Sequence, residues 1–275
     1  MKAIVATRYG SPDVLQLREL EKPRPGANEI LVKIHAATVN AGDSRMRSFT
    51  VPPAFWLAGR LALGVSKPRN PIFGMELAGE VEAVGAAVRR FRAGDRVFAS
   101  TFGARFGAHA EYKCLSADGP VALIPSGVSY EQAVTLPTGA HTAMVFLKAA
   151  DIRPGQRVLI NGASGSVGTF GVQLAKSFGA EVTAVCSGRN AELARSLGAD
   201  SVIDYTREDW TANGQVYDVI FDAVGKTTLT ECKGLLKPDG AYLHTVMVAA
   251  GIKKLWYGLT TGLRVIGGSH APSAA

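Results

Sequence analysis

Residues 158–168 read VLINGASGSVG, and this stretch decides the fold. Val158-Leu159-Ile160 is apolar at every position and too short for a helix, the pattern of a strand buried on both faces of a parallel sheet. Gly162, Gly165 and Gly168 follow at three-residue spacing. Glycine lets the backbone turn sharply and puts no Cβ between the chain and an approaching group. Residues 167–178 then read as a helix stopped by Gly179, a left-handed terminator. Strand, glycine turn and helix in that order make a phosphate cradle, because the helix start offers unpaired N–H groups and the positive end of its dipole.

Downstream, strand and helix patterns alternate. Strands are expected at 157–161, 181–186, 201–204, 216–222 and 241–246, with a last one over Leu263–Gly268. Helices are expected at 140–150, 191–197 and 228–236, and a helix-like run starts at Tyr130. This is the rhythm of a doubly wound parallel sheet, so the fold class is α/β. Upstream the rhythm differs. Residues 3–6, 30–35, 76–84, 96–99 and 108–114 read as short strands parted by Gly and Pro turns, a small barrel-like β domain. The change of rhythm places one domain at 1–124 and the dinucleotide-binding domain at 125–275.

The strand after the cradle selects the cofactor. Where Asp or Glu would hold a ribose diol, this strand ends Cys186-Ser187-Gly188-Arg189-Asn190. A hydroxyl at Ser187 and a guanidinium at Arg189 suit a 2′-phosphate, and the Tyr205 phenol stands just past the third strand. The expected cofactor is therefore NADPH rather than NADH.

Composition narrows the class further. At 275 residues, 47% hydrophobic and 19% charged, the chain can fill real cores. Three scattered cysteines, Cys114, Cys186 and Cys232, suggest neither a disulfide framework nor a zinc cluster, and no leader or spanning segment is visible, so a cytoplasmic location is expected. The net charge of +7 is dispersed; the run Arg89-Arg90-Phe91-Arg92 reads as a solvated turn, and no nucleic-acid module is present.

Taken together, the opening MKAIVATRYGSPDVLQL, ATVNAGD (37–43), PIFGMELAGEVEAVG (71–85), AGDRVF (93–98), AHAEY (108–112), LPTGAHTA (136–143), the cradle, LGADSVIDY (197–205) and VYDVIFDAVG (216–225) resemble the zinc-free quinone oxidoreductase branch of the medium-chain dehydrogenase/reductase superfamily. The resemblance implies a GroES-like domain followed by a Rossmann domain, with the active site in a cleft between them. It implies cofactor contacts at Ser164, Gly165, Ser166, Val167, Ser187, Arg189 and Tyr205, with Ala223 and Val246 near the nicotinamide side. Asn40 and Thr142 fall at positions lining the nicotinamide end. Zinc-dependent relatives carry Cys and His where this chain has Asn40 and Met75, so no metal is expected.

Without a metal, the accessible chemistry is hydride transfer to an electron-poor acceptor, a quinone or an α,β-unsaturated carbonyl, whose charge spreads onto a distant oxygen. Asn40 and Asp43 are the polar candidates for catalysis, with water as a further proton source. Asp43 reads equally as a helix cap before Ser44, and Thr138 either faces substrate or caps a turn. The apolar insertion 52–69 reads as a lid, a partner-facing patch or plain packing. Members of the family continue into a segment that returns to the first domain, and this sequence is expected to lack it. The alternative function is then a non-catalytic NADPH-binding or interaction protein. Residues 263–268 are a candidate edge for a homodimer.

Overall fold

Alternating apolar residues make the first part of the chain a sheet. The computed structural model describes residues 1–51, 53–245 and 262–267. Lys2–Ala6 (β1) and Leu15–Glu19 (β2) form an antiparallel ribbon. Glu29–Ala37 (β3), Glu76–Val84 (β4), Arg96–Ser100 (β5), Tyr112–Ser116 (β6) and Val121–Leu123 (β7) form an antiparallel sheet in the order β6-β3-β4-β5-β7. Ile30, Val32, Leu77, Val81, Val97 and Leu115 bury together on it. Each such side chain contributes about 1.5–3 kcal/mol on leaving water.

The strand expected over 108–114 begins only at Tyr112. Its first residues bond elsewhere: the Ala108 N–H donates to Gly74 O (3.3 Å), the His109 N–H to Phe73 O (2.9 Å), and Ala110 bridges to Ala3. Two helices, Ala41–Ser48 (α1) and Trp56–Leu63 (α2), leave the sheet between β3 and β4. The basic run 89–92 lies in the turn between β4 and β5, where Arg89 and Arg90 hold backbone carbonyls of Ala86, Val88 and Val121. Tyr130–Ala133 (α3) still belongs to this unit, because Ala133 and Val134 bury with Ala78 of β4 and Ile124. The chain accordingly divides after Pro137, later than the change of sequence rhythm.

From Thr138 the second unit is built on a six-stranded sheet. His141–Ala149 (α4) precedes Arg157–Asn161 (β8), and Ser166–Ser177 (α5), Glu181–Cys186 (β9), Ala191–Ser196 (α6) and Ser201–Asp204 (β10) follow. Tyr217–Asp222 (β11), Leu229–Cys232 (α7), Leu236–His244 (β12) and Arg264–Gly267 (β13) complete the described elements. The order is β10-β9-β8-β11-β12-β13 and every pairing is parallel. The chain runs outward from β8 on one side, then crosses to β11, so the carboxyl ends of β8 and β11 flank the switch point where such sheets bind ligands. Val158 and Ile160 pack into one core with Phe146, Val172 and Phe221; Leu159 packs into the other with Val185, Ile220 and Tyr242. β8 is thus buried on both faces, as its sequence requires.

Two expectations change. The helix expected over 228–236 is one turn plus a 3₁₀ turn at Lys233–Leu235, because Leu236 already pairs with Tyr217 as the first residue of β12. Ahead of α4, Leu136–Ala140 forms a π-helical turn. Gly139 lies in it, where a Cβ would crowd Ser166 Oγ (2.5 Å) and the Phe170 ring, so α4 and α5 start in close approach.

Candidate cofactor-binding site

The cradle is built from backbone. Gly162 takes φ +81°, and its N–H and that of Ala163 both donate to Val185 O at 3.0 Å, locking the turn onto β9. The Gly165 N–H closes the turn on Gly162 O (2.9 Å). A Cβ on Gly168 would overlap that same carbonyl oxygen, so this glycine lets α5 press against the turn. Gly165 is different: φ is −82°, and a Cβ there would meet only Gly162 O, at 3.4 Å. It is the helix N-cap, brings no side-chain acceptor, and is exposed with Ser166. The first N–H groups of α5 are therefore left for an outside acceptor. An uncapped helix start behind an open glycine is the donor set a diphosphate requires, so the residues fit the phosphates of a dinucleotide.

Beside it, the Asn190 amide donates to Ser164 Oγ (3.1 Å) and Ser187 Oγ (3.2 Å), tying the turn after β8 to the turn after β9. Arg189 is exposed within the 3₁₀ turn Gly188–Asn190. The Tyr205 N–H donates to Cys186 O (3.2 Å), which sets Tyr205 beside Ser187 with its ring largely exposed. Behind this loop, Asp204 accepts from Thr206 Oγ1 (2.7 Å) and the Thr206 N–H (3.0 Å), and these bonds hold its carboxyl below the usual range. Ser164, Ser187, Arg189 and Tyr205 are thus gathered at the carboxyl ends of β8, β9 and β10. Val167 is the second residue of α5 and Thr142 the second of α4, both half-buried. Val246 lies outside the described residues.

A neighbouring constellation was not foreseen from the sequence. Asp222, fully buried at the end of β11, accepts from Asn161 Nδ2 (3.1 Å) and the N–H groups of Val224 (3.1 Å), Gly225 (2.9 Å) and Thr227 (3.0 Å). The Tyr242 hydroxyl donates to Thr227 O (2.6 Å). Burial, reinforced by Asp222, pushes the Tyr242 phenol far up; burial pushes the Cys232 thiol up to about 12. This network fixes the loop that begins at half-buried Ala223, whose N–H donates to Asn161 O (3.1 Å). Its signal was present in VYDVIFDAVG: a carboxylate ending an apolar strand, three residues before Gly225.

In the first unit, Asn40 caps α1. Its Oδ1 accepts from the N–H groups of Gly42 (2.8 Å) and Asp43 (3.1 Å), and its own N–H donates to Asp43 Oδ2 (3.0 Å), a reciprocal capping box. The cap is therefore Asn40, with Asp43 at the third helical position. Asp43 is buried, and its other oxygen accepts the Gly74 N–H (3.1 Å). Asn40 Nδ2 donates to buried Glu76 (3.3 Å), which also accepts from Thr38 Oγ1; His109 Nε2 bonds Thr38 O (2.9 Å). No group of three or more His, Cys, Asp or Glu side chains placed to hold a metal occurs among the described residues. No described helix is long and apolar enough to cross a membrane.

Residues 26–152 match the family described as alcohol dehydrogenase GroES-like domain, and residues 166–270 match the zinc-binding dehydrogenase family. The quinone oxidoreductase of Pseudomonas aeruginosa is 34% identical over 87% of this chain and 71% of that protein. The mouse NAD(P)H oxidoreductase RTN4IP1, mitochondrial, is 35% identical over 90% of this chain and 65% of that protein, so the chain spans about two thirds of such relatives. Among solved structures, the quinone oxidoreductase from Coxiella burnetii aligns with a TM-score of 0.86 at 30% identity, covering 98% of this chain and 83% of that one. The Escherichia coli quinone oxidoreductase complexed with NADPH aligns with 0.79 at 26% identity, covering 100% and 81%.

Proposed function

Because the chain belongs to the quinone oxidoreductase branch of the medium-chain dehydrogenase/reductase superfamily, we propose that it binds NADPH and passes hydride to a quinone or an α,β-unsaturated carbonyl without a resident metal. The observation that carries the reading is the uncapped start of α5 behind the open face of Gly165. Bound there, NADPH would supply the hydride; the rest is the work of side chains and backbone. The N–H groups at Ser166 and Val167 take the diphosphate, while Ser187, Arg189 and Tyr205 take the 2′-phosphate. Asn190 and Asp222 hold the turns on which these contacts and Ala223 are carried.

Two relatives' names support the assignment: one is a quinone oxidoreductase, and a solved quinone oxidoreductase carries NADPH. Metal independence is supported by the donor set, since Asn40 and Met75 cannot supply the Cys and His of a catalytic zinc site. On the substrate side, Asn40 is assigned as a donor to the acceptor's oxygen. One of its amide hydrogens goes to Glu76, leaving a second. Asp43 is assigned to hold Asn40 in place, and water to deliver the proton. β13, the edge strand of the sheet among the described residues, is assigned to pairing with a second copy.

The test follows oxidation of NADPH by a panel of quinones, enones and enoyl thioesters, beside NADPH binding measured alone. Turnover with a quinone or an enone is expected. Binding without turnover across the panel would replace the enzyme by a non-catalytic NADPH-binding protein, and no NADPH binding would overturn the reading.

A further inference from the structure

Helix α2 inverts the usual arrangement of an amphipathic helix. Its one charged residue, Arg60, does not reach into water. The guanidinium carbon lies over the rings of Phe49 (4.0 Å), Tyr9 (4.6 Å) and Trp56 (5.3 Å), and Nη1 donates to Val65 O (2.8 Å). With the cation turned inward, the outward face is apolar. Phe55 is 44% exposed, Trp56 50%, Leu57 66%, Leu61 58% and Val65 65%. Leu57 and Leu61 stand one turn apart on the same side.

The segment that carries this face has charge of one sign. From Ser44 to Met75 the sequence contains Arg45, Arg47, Arg60, Lys67 and Arg69 and no Asp or Glu. Arg47 is engaged with Gly10 O, as Arg60 is with its rings, but Arg45, Lys67 and Arg69 are exposed. Tyr9 anchors the end of the helix by donating from its hydroxyl to Leu63 O (2.9 Å). A short helix offering Trp and Leu outward, flanked in the sequence by exposed cations with no carboxylate among them, matches the chemistry of an anionic bilayer surface. Apolar side chains enter the acyl boundary, Trp sits at headgroup depth, and the cations meet acidic headgroups.

We propose that α2 and its flanks form a docking face for an anionic lipid bilayer, on which the chain rests peripherally. The binding does not depend on the reductase reading; on that reading, it brings the site to acceptors dissolved in the membrane. A protein partner of mixed charge fits less well, since the patch offers cations without acceptors for a partner's own basic groups.

The experiment is flotation of the full chain, without cofactor or substrate, with phosphatidylcholine vesicles containing or lacking about one third phosphatidylglycerol. Binding is expected to the anionic vesicles only, and to fall with salt. The double variant Leu57→Ser/Leu61→Ser should weaken binding at least tenfold while its thermal midpoint stays that of the wild type, because both side chains already face water. Lys67→Glu/Arg69→Glu should remove the preference for anionic vesicles, at about fivefold per cation lost. Absence of vesicle binding by the folded wild type overturns the proposal. So does binding that neither double variant alters, or a patch found to mediate only self-association.

Discussion

Helices α1 and α5 begin in opposite ways. The start of α1 is closed: Asn40 and Asp43 satisfy each other, Asp43 takes the Gly74 N–H as well, and Asn40 reaches Glu76. The start of α5 is open: Gly165 carries no side chain, and nothing of the helix's own caps its first N–H groups. A capped helix start uses its terminal N–H groups internally; one left uncapped at a strand's carboxyl end keeps them for a ligand. Substitutions that close the open start, or open the closed one, test this contrast.

The largest effect is expected at Gly168. Its Cβ would overlap the Gly162 carbonyl oxygen, and a backbone oxygen in a turn locked to Val185 cannot step aside. Gly168→Ala should destabilise the second unit by about 3 kcal/mol or more, seen as an earlier denaturant transition with NADPH binding lost alongside. Next is Asn40. Serine still caps a helix but carries no amide, so Asn40→Ser should leave stability within about 1 kcal/mol while lowering kcat/KM for a quinone about a hundredfold. Asp43→Ala should show the reverse balance. A half-buried N–H on Asn40 and a buried one on Gly74 lose their acceptor, and unfolding should become about 2 kcal/mol easier. A fall in turnover for that variant should be rescued in part by Asp43→Asn.

What the sequence revealed follows the same line. The open start was legible because it is written in glycines between an apolar strand and a helix, all within eleven residues. The strands at 157–161, 181–186 and 201–204 were legible for a related reason: each is a short apolar run with its own turn signals. The closed start was half legible. Asn40 and Asp43 were singled out, but which of them capped depended on where α1 begins, and the Gly74 and Glu76 partners come from a segment more than thirty residues away. The Asp222 network was missed because only its acceptor, a carboxylate ending an apolar strand, is written in the sequence, while its donors are mostly backbone N–H groups that converge only in the fold.

A milder closure is available at Gly165. Alanine fits its extended φ and ψ and meets only one atom, so Gly165→Ala should unfold at nearly the wild-type denaturant concentration. Its methyl would nonetheless stand where a diphosphate must approach the N–H groups. NADPH affinity should fall about tenfold by titration. A variant that keeps full affinity would mean that the helix start is not where the phosphates lie.

The smallest expected effect separates the diphosphate from the 2′-phosphate. Arg189 is exposed and, among the described residues, makes no ion pair that would be lost with it. Its loop is held from behind: Asn190 bonds Ser164 and Ser187, and Asp204 stands against Gly188 with its carboxylate occupied by Thr206. Arg189→Ala should therefore leave the loop and the fold unchanged. An exposed guanidinium on a phosphate dianion is screened by water and salt, so the loss should be about fivefold in NADPH affinity, with NADH affinity unmoved. The contrast between the two cofactors is the informative readout, because damage to the cradle would weaken both. Equal losses would place Arg189 with the diphosphate, and no loss would leave Ser187 and Tyr205 to distinguish the cofactors.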